Sequence, residues 1–230
     1  METKFKIIGF SGKLGVGKNY VGEILFGKKL YELGYNVHIL AFGDQVKYEL
    51  GSRLKFIKDD KIITEMNETF EQLFINKTAE TRQKLQYYAT DYCRNGGNWI
   101  INDNFTMINQ SNIWIKGLYL QILNIVSRSY THNEDLFVIT DVRFVNEAEF
   151  IKSLGGKIIR INAPSRNEKK IVEEAQKNTK CFKDFSNFIT KIKRHESETN
   201  LDNYTFDYVL DNEPSDINID DKVDKIINTL

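Results

Sequence analysis

With 230 residues, 41% of them hydrophobic and 28% charged, the chain can bury a substantial core and has the make-up of an ordinary globular protein. Its 32 Lys and Arg balance 32 Asp and Glu, which argues against a nucleic-acid-coating protein or a polybasic membrane binder. Cys93 and Cys181 are the only cysteines, too few and too widely spaced for a disulfide framework or a structural zinc site, so a reducing cytoplasm is the expected compartment. Met1–Lys6 leads straight into a strand over 4–10, where Phe5, Ile7, Ile8 and Phe10 precede a glycine cluster. No apolar run approaches the ~20 residues of a membrane span, so neither export nor membrane insertion is expected. Val21, Ile24, Leu25, Phe26, Leu30 and Leu33 then recur at helical spacing as far as Gly34, and a second strand follows over 37–42. This βαβ order predicts a parallel sheet covered on both faces.

Residues 61–132 read as helical, with good helix formers over 79–92 and an apolar density over 113–126 that predicts a buried helix. The βαβ grammar then returns. Leu136–Thr140 is a strand, 146–154 a helix stopped by Gly155 and Gly156, and 157–161 another strand. A last strand is expected over 206–210, and Ile219, Val223, Ile226, Ile227 and Leu230 stripe a C-terminal helix. Pro164 and Pro214 each fall just beyond a strand.

The strongest chemical signal is Gly12-Lys13-Leu14-Gly15-Val16-Gly17-Lys18-Asn19, which matches G-x-x-x-x-G-K between a buried strand and an amphipathic helix. Glycines let backbone N–H groups wrap a phosphate chain, the helix N-terminus adds partial positive charge, and Lys18 reaches the β and γ phosphates. Gly12, Lys13, Gly15, Val16, Gly17, Lys18 and Asn19, with Tyr20 after them, are therefore the candidates for binding ATP. Asn19 stands where Ser or Thr would bind Mg2+; its amide oxygen can ligate the ion or one of its waters. A chain of this size with one such loop and a helical insertion suits a small-molecule kinase, which must enclose the reacting phosphates.

Ile139-Thr140-Asp141-Val142-Arg143-Phe144-Val145-Asn146-Glu147-Ala148-Glu149 strongly resembles the D-V-R-F-x-N-E-A-E stretch of the phage-type deoxynucleoside monophosphate kinases. The glycine loop, Ala41–Lys47, Lys77–Gln86 with Thr90-Asp91, His195–Thr199 and Phe206–Asn212 resemble further blocks of that family in the same order. Asn19 replaces a usual Asp, Thr78-Ala79-Glu80-Thr81 lacks a proline, and Val145 replaces another. The resemblance implies a P-loop nucleoside monophosphate kinase-like α/β fold: a central parallel sheet flanked by helices, with a helical acceptor-binding insertion and a lid. The implied layout is a single domain with its core in 1–60, 134–162 and 200–230, the insertion in 61–133 and the lid in 163–199. ATP and Mg2+ are the implied cofactors and small nucleotides the partners, with no nucleic-acid polymer and no membrane; a homodimer is implied by the resemblance alone. The richness in Asn, Ile and Lys fits an A+T-rich, viral genome and thus a host cytoplasm.

Phosphoryl transfer needs cations on the moving group, a carboxylate to organise magnesium and groups to orient the acceptor. Lys18 is the first catalytic candidate; Lys13 either touches phosphate or is solvated. Asp44 follows the second strand and either orients the acceptor or magnesium waters, or caps the helix beginning there. Lys47 lies one turn on. Asp141 and Arg143, at i and i+2 of one strand end, put an anion, with Asn19 a candidate metal ligand, and a cation on one face. The resemblance makes Arg143 an acceptor-phosphate ligand and adds Asn146 and Glu147 to the acceptor side. Arg82 and Gln86 share a helix face, with Asp91 beyond them, and by analogy hold the monophosphate and its base. Trp114 either stacks on a base or fills the core. Residues 166–195 carry nine Lys/Arg against four Asp/Glu, where Arg166 and Arg194 are candidates for stabilising transferred charge and His195 touches phosphate or holds the lid. Two alternatives stay open: a phosphomevalonate kinase-like enzyme, whose loop Ser11–Val21 also echoes, and a P-loop ATPase switch acting with nucleic acid or a protein partner.

Overall fold

A computed structural model of the chain describes residues 5–51, 55–58, 61–65, 71–75, 78–94, 98–100, 106–108, 112–129, 133–179, 182–215 and 218–230. Nine described strands follow in chain order: β1 (Phe5–Ser11), β2 (Asn36–Leu40), β3 (Lys55–Lys58), β4 (Lys61–Glu65), β5 (Asn98–Ile100), β6 (Thr106–Ile108), β7 (Asp135–Val142), β8 (Lys157–Asn162) and β9 (Tyr208–Asp211). The chain divides into two compact units, Met1–Ala41 with Gln121–Leu230, and Phe42–Leu120.

The first unit is built on a five-stranded sheet in the order β2-β7-β1-β8-β9, with every neighbouring pair parallel. Parallel strands covered by helices must be apolar on both faces, and the two central strands meet that demand. Phe5, Ile7, Ile8 and Phe10 of β1 and Leu136 to Ile139 of β7 are all buried. The first helix winds as a π-helix over Tyr20–Phe26 and continues as an α-helix over Gly27–Glu32. Its Phe26 meets Phe10 edge to face, centroids 4.9 Å apart. Val223, Ile226 and Ile227 of the C-terminal helix, Ile219–Ile227, enter the same core. Burying a side chain of this size contributes roughly 1.5–3 kcal/mol, so that stripe is enough to fix a nine-residue helix on the sheet.

Gly34 and Gly155, at φ of +90° and +80°, follow the helices that end at Glu32 and Ser153, as their spacing predicts. Pro164 opens the helix Pro164–Asn178, where its missing N–H costs nothing. Phe182–Arg194 and the short turn Glu196–Thr199 complete the region expected to form a lid. The strand order places β1 between β7 and β8, with Ser11 opposite Val142 on one side and Arg160 on the other. Such a switch in winding direction opens a crevice at the carboxyl ends of the strands.

The second unit differs from the helical insertion expected over 61–133. Its compact unit starts at Phe42 and ends at Leu120, and it contains an antiparallel sheet in the order β4-β3-β5-β6. These strands are three to five residues long, too short for alternation to register against the helix formers around them. Helices Phe42–Gly51, Glu71–Ile75, Ala79–Gln86 continuing as Tyr87–Tyr92, and the start of Ile113–Arg128 make up the rest of its described secondary structure.

The Ile113–Arg128 helix is not buried all round, as its apolar density had suggested. Ile113, Trp114, Leu118 and Ile122 form its buried stripe, while Tyr119, Leu120 and Leu123 are exposed, Leu120 by 66%. Apolar content sets what can be buried, but the helical period lets only one face meet a core. Among the described residues no helix is long and apolar enough to cross a membrane.

Candidate active site

Four strand ends deliver the site of the first unit. Ser11 passes into the glycine loop, which bends through Gly15 and Gly17 at φ of +77° and +88°. A side chain at Gly17 is barred twice. The backbone angle disfavours it, and a Cβ there would lie 2.4 Å from Asn212 Nδ2. That amide clamps the loop by donating to the Val16 carbonyl at 2.9 Å, while Asn212 is itself held by its N–H on the Asn162 carbonyl at 2.7 Å. Asn167 Nδ2 donates to the Leu14 carbonyl at 2.7 Å. These two bonds fix the carbonyls of Leu14 and Val16, and with them the path of the loop whose N–H groups would meet an anion.

Lys18 folds back under the loop, 8% exposed. Its Nζ donates to the carbonyls of Gly12 at 2.7 Å and Lys13 at 2.8 Å. Burial pulls its pKa down to about 7, and the nearby Arg143 and Arg160 push the same way against Glu198 and Asp141. Arg143, just past β7, donates from Nη1 to Glu198 Oε1 at 2.5 Å and to the Ser197 carbonyl at 3.4 Å. Burial works against its charge, but Glu198, Asp141 and Glu147 outweigh it and hold the guanidinium above its ordinary pKa. The other oxygen of Glu198, Oε2, accepts the Leu14 N–H at 2.7 Å. Asp202 takes Lys13 at 3.1 Å and Arg160 at 3.6 Å, and Arg160 also reaches Ser11 Oγ at 3.2 Å. Burial lowers the Arg160 pKa, opposed by Asp202 and Glu198.

The remaining loop and lid candidates divide. Arg166 lies beside the loop, its Nη1 3.9 Å from where a Gly17 Cβ would sit; its buried Nε has no hydrogen-bond partner among the described residues. Arg194 is exposed at the end of its helix. His195 caps the next turn, with Nδ1 accepting the Ser197 N–H at 3.2 Å and meeting Ser197 Oγ at 2.8 Å. Tyr20 is half exposed, and Asn19 Nδ2 donates to Glu23 Oε1 at 2.8 Å, which turns the amide oxygen away from Glu23.

Glu147 corrects the sequence reading. Placed on the acceptor side there, it is 2% exposed, and its Oε2 accepts the N–H of Arg143 at 2.8 Å and of Phe144 at 3.1 Å. It caps the helix Val145–Ser153 from its third residue and fixes the backbone of Arg143. Asn146 is half-buried in the first turn of that helix.

In the second unit, Asp44 sits in the first turn of Phe42–Gly51 and pairs with Lys47 one turn on, whose ammonium lies 4.8 Å over the Phe74 ring. Arg82 and Gln86 are half-buried on Ala79–Gln86; the side chain of Asp91 lies outside the described residues. Trp114 is enclosed, 1% exposed, with its indole N–H on the Ala89 carbonyl at 3.1 Å and Tyr88 packed against it at 5.8 Å. It fills the core of this unit and offers no open face to a base.

Sequence reasoning missed Arg160, Glu198 and Asp202, and the two clamping asparagines. Arg160 carries a signal in hindsight, as a cation inside the apolar run of β8. Glu198 and Asn212 sat in the family-like blocks at 195–199 and 206–212 without an assigned role.

No family model matches the chain. A protein of Acanthamoeba polyphaga mimivirus, provisionally named a deoxynucleotide monophosphate kinase, is 31% identical over 160 residues, covering 69% of this chain and 74% of its own. The chain belongs to that deoxynucleotide monophosphate kinase family. Solved structures similar to this kinase include the APS kinase of Mycobacterium tuberculosis in complex with AMPPNP and APS, 15% identical over 97% of this chain and 96% of its own, with a TM-score of 0.40. Dephospho-CoA kinase from Campylobacter jejuni is 14% identical over 99% and 98%, with a TM-score of 0.42.

In this kinase the asparagine clamp leads to a testable expectation. Asn212→Ala strands the buried Val16 carbonyl and lets the loop relax, and should weaken ADP binding about tenfold in a calorimetric titration. An unchanged Kd would show that the loop needs no clamp.

Proposed function

We propose that the protein is an ATP-dependent kinase converting deoxynucleoside monophosphates to diphosphates, dNMP + ATP to dNDP + ADP. The observation that carries this reading is that a single carboxylate spans the loop N–H of Leu14 and the guanidinium of Arg143. Two donors bridged by one small anion can be bridged by one phosphoryl group, with the donor nucleotide on the loop side and the acceptor phosphate on the Arg143 side. An acceptor phosphate oxygen attacks the γ phosphorus, a P–O bond forms, and the bond to the β–γ bridging oxygen breaks with its electron pair leaving on ADP. Lys18, Lys13, Arg160 and Arg166 supply the cations that neutralise the moving charge. Arg194, exposed at the end of the Phe182–Arg194 helix, is assigned to ATP only through the resemblance. Arg82, Gln86 and Asp91 are assigned to the monophosphate and its base on the same ground, and Asp44 and Lys47 are further acceptor-side groups.

Magnesium fits the hard oxygen donors here, Asp141 near the end of β7 and the amide oxygen of Asn19, because the ion keeps several waters and needs few protein ligands. Among the described residues no cluster of three or more acidic, His or Cys side chains forms a dedicated cage. The ion would add charge neutralisation on the phosphates.

A coupled assay across the four dNMPs, their ribonucleotide counterparts and phosphomevalonate tests the assignment. ADP formation with at least one dNMP, and none with phosphomevalonate, is the expected outcome. Turnover with water alone, stimulated by polynucleotide, would replace it with the switch-ATPase reading.

A further inference from the structure

We propose that the Glu198 carboxylate competes with phosphate for one set of donors: it holds the Leu14 N–H and Arg143, and a bound phosphate takes both from it. This deepens the kinase reading and rests on it. Glu198 is 6% exposed along its side chain, and its two oxygens are spent on the two donors that flank the phosphate path, at 2.7 Å and 2.5 Å. An amide N–H and a guanidinium satisfy a carboxylate and a phosphate in the same way, so both anions compete for one set of donors. They cannot share it, because like charges at hydrogen-bond range repel.

Arg143 disfavours the charge of Lys18, and Glu198 opposes that effect from its place on the guanidinium. Glu198 is supported as part of a small unit. Its N–H donates to the His195 carbonyl at 2.9 Å, the Asp202 N–H to the Thr199 carbonyl at 3.0 Å, and Asn200 Oδ1 accepts the Val145 N–H at 2.8 Å. Four residues on, Asp202 repeats the device on Lys13 and Arg160. The turn Glu196–Thr199 thus carries an internal anion whose removal favours ligand and disfavours the empty site.

The test uses the full chain and binding rather than turnover. Glu198→Gln keeps the side-chain shape but removes the competing charge. It should tighten inorganic pyrophosphate and ADP about tenfold, by the worth of a charged hydrogen bond, while lowering the melting temperature of the ligand-free protein. Its KM for ATP should fall with kcat changed less. In the unaltered protein, saturating pyrophosphate should speed amide hydrogen exchange over 196–203 as the turn is released. Weaker or unchanged pyrophosphate binding in the variant overturns the proposal, as does slower or unchanged exchange over 196–203. The binding readouts are independent of the acceptor. Displacement without dNMP turnover would leave this inference standing and remove the substrate assignment, and the converse would do the reverse.

Discussion

Replacing Lys18 with methionine is expected to lower kinase turnover by about three orders of magnitude while leaving the ligand-free protein at least as stable as the original at pH 7 and below. The two halves of that expectation have one cause. Lys18 is buried beneath its own loop, and its pKa of about 7 lies below the ordinary lysine value of 10.5 because burial, then Arg143, disfavour the charge. A folded-state value below the unfolded one means that the unfolded chain binds the proton more tightly. Stability therefore rises with pH across the window from about 7 to 10.5 and is lowest where the buried ammonium must stay charged. Methionine fills similar volume without charge and removes that component. Melting temperatures at pH 6, 7, 8 and 9 should show a rise with pH in the original protein that is reduced in Lys18→Met. A phosphate chain favours the charged lysine, so ADP binding at pH 8 should take up close to one proton, and binding at pH 5.5 almost none. Titration calorimetry in two buffers of different ionisation enthalpy reads this directly. No proton uptake at pH 8, or an unchanged pH slope in the variant, would show that Lys18 stays fully charged in the empty site.

The features that were legible in the sequence are those with local causes. The glycine loop could be read because its glycines serve a backbone path within eight residues, Gly12 to Asn19, and because β1 before it is apolar on both faces. The helix stops at Gly34 and Gly155 are local too, as is the spacing by which Asp141 comes close enough to favour the charge of Arg143. The antiparallel sheet of the second unit was not legible. Lys61-Ile62-Ile63-Thr64-Glu65 has no clean alternation, and β5 pairs with β3 across some forty residues of chain. Trp114 shows a different limit. Its spacing allowed either core or base stacking, and only the Ala89 carbonyl and Tyr88 around it decide for core. The carboxylates of the site lay beyond reach for a similar reason. Glu198 meets Leu14 across 184 positions and Arg143 across 55, and the pattern 195–199 reads equally well as a solvated turn.

Glu147→Ala is expected to destabilise the protein by about 2–4 kcal/mol and to raise the KM for the acceptor more than the KM for ATP. The first effect follows from burial. Glu147 Oε2 accepts two N–H groups, of Arg143 and Phe144, and alanine leaves both donors without that acceptor while opening a cavity under the Val145–Ser153 helix. Glu147→Gln keeps an oxygen acceptor and should cost about 1 kcal/mol, since charge is lost but the N–H groups remain bonded. The second effect follows from position. Arg143 lies just past the end of β7, and the Glu147 carboxylate is what fixes its backbone there before the helix begins. Loosening that backbone shifts the guanidinium relative to Glu198 and the loop, and a shift of about 1 Å is enough to cost two orders of magnitude in a positioned reaction. The glycine loop is clamped separately by Asn167 and Asn212, so ATP binding should be spared. Urea unfolding of the three proteins, with KM values measured for each substrate at saturating concentrations of the other, checks both parts. A variant as stable as the original, or one that raises both KM values equally, would return Glu147 to the acceptor side where the sequence first placed it.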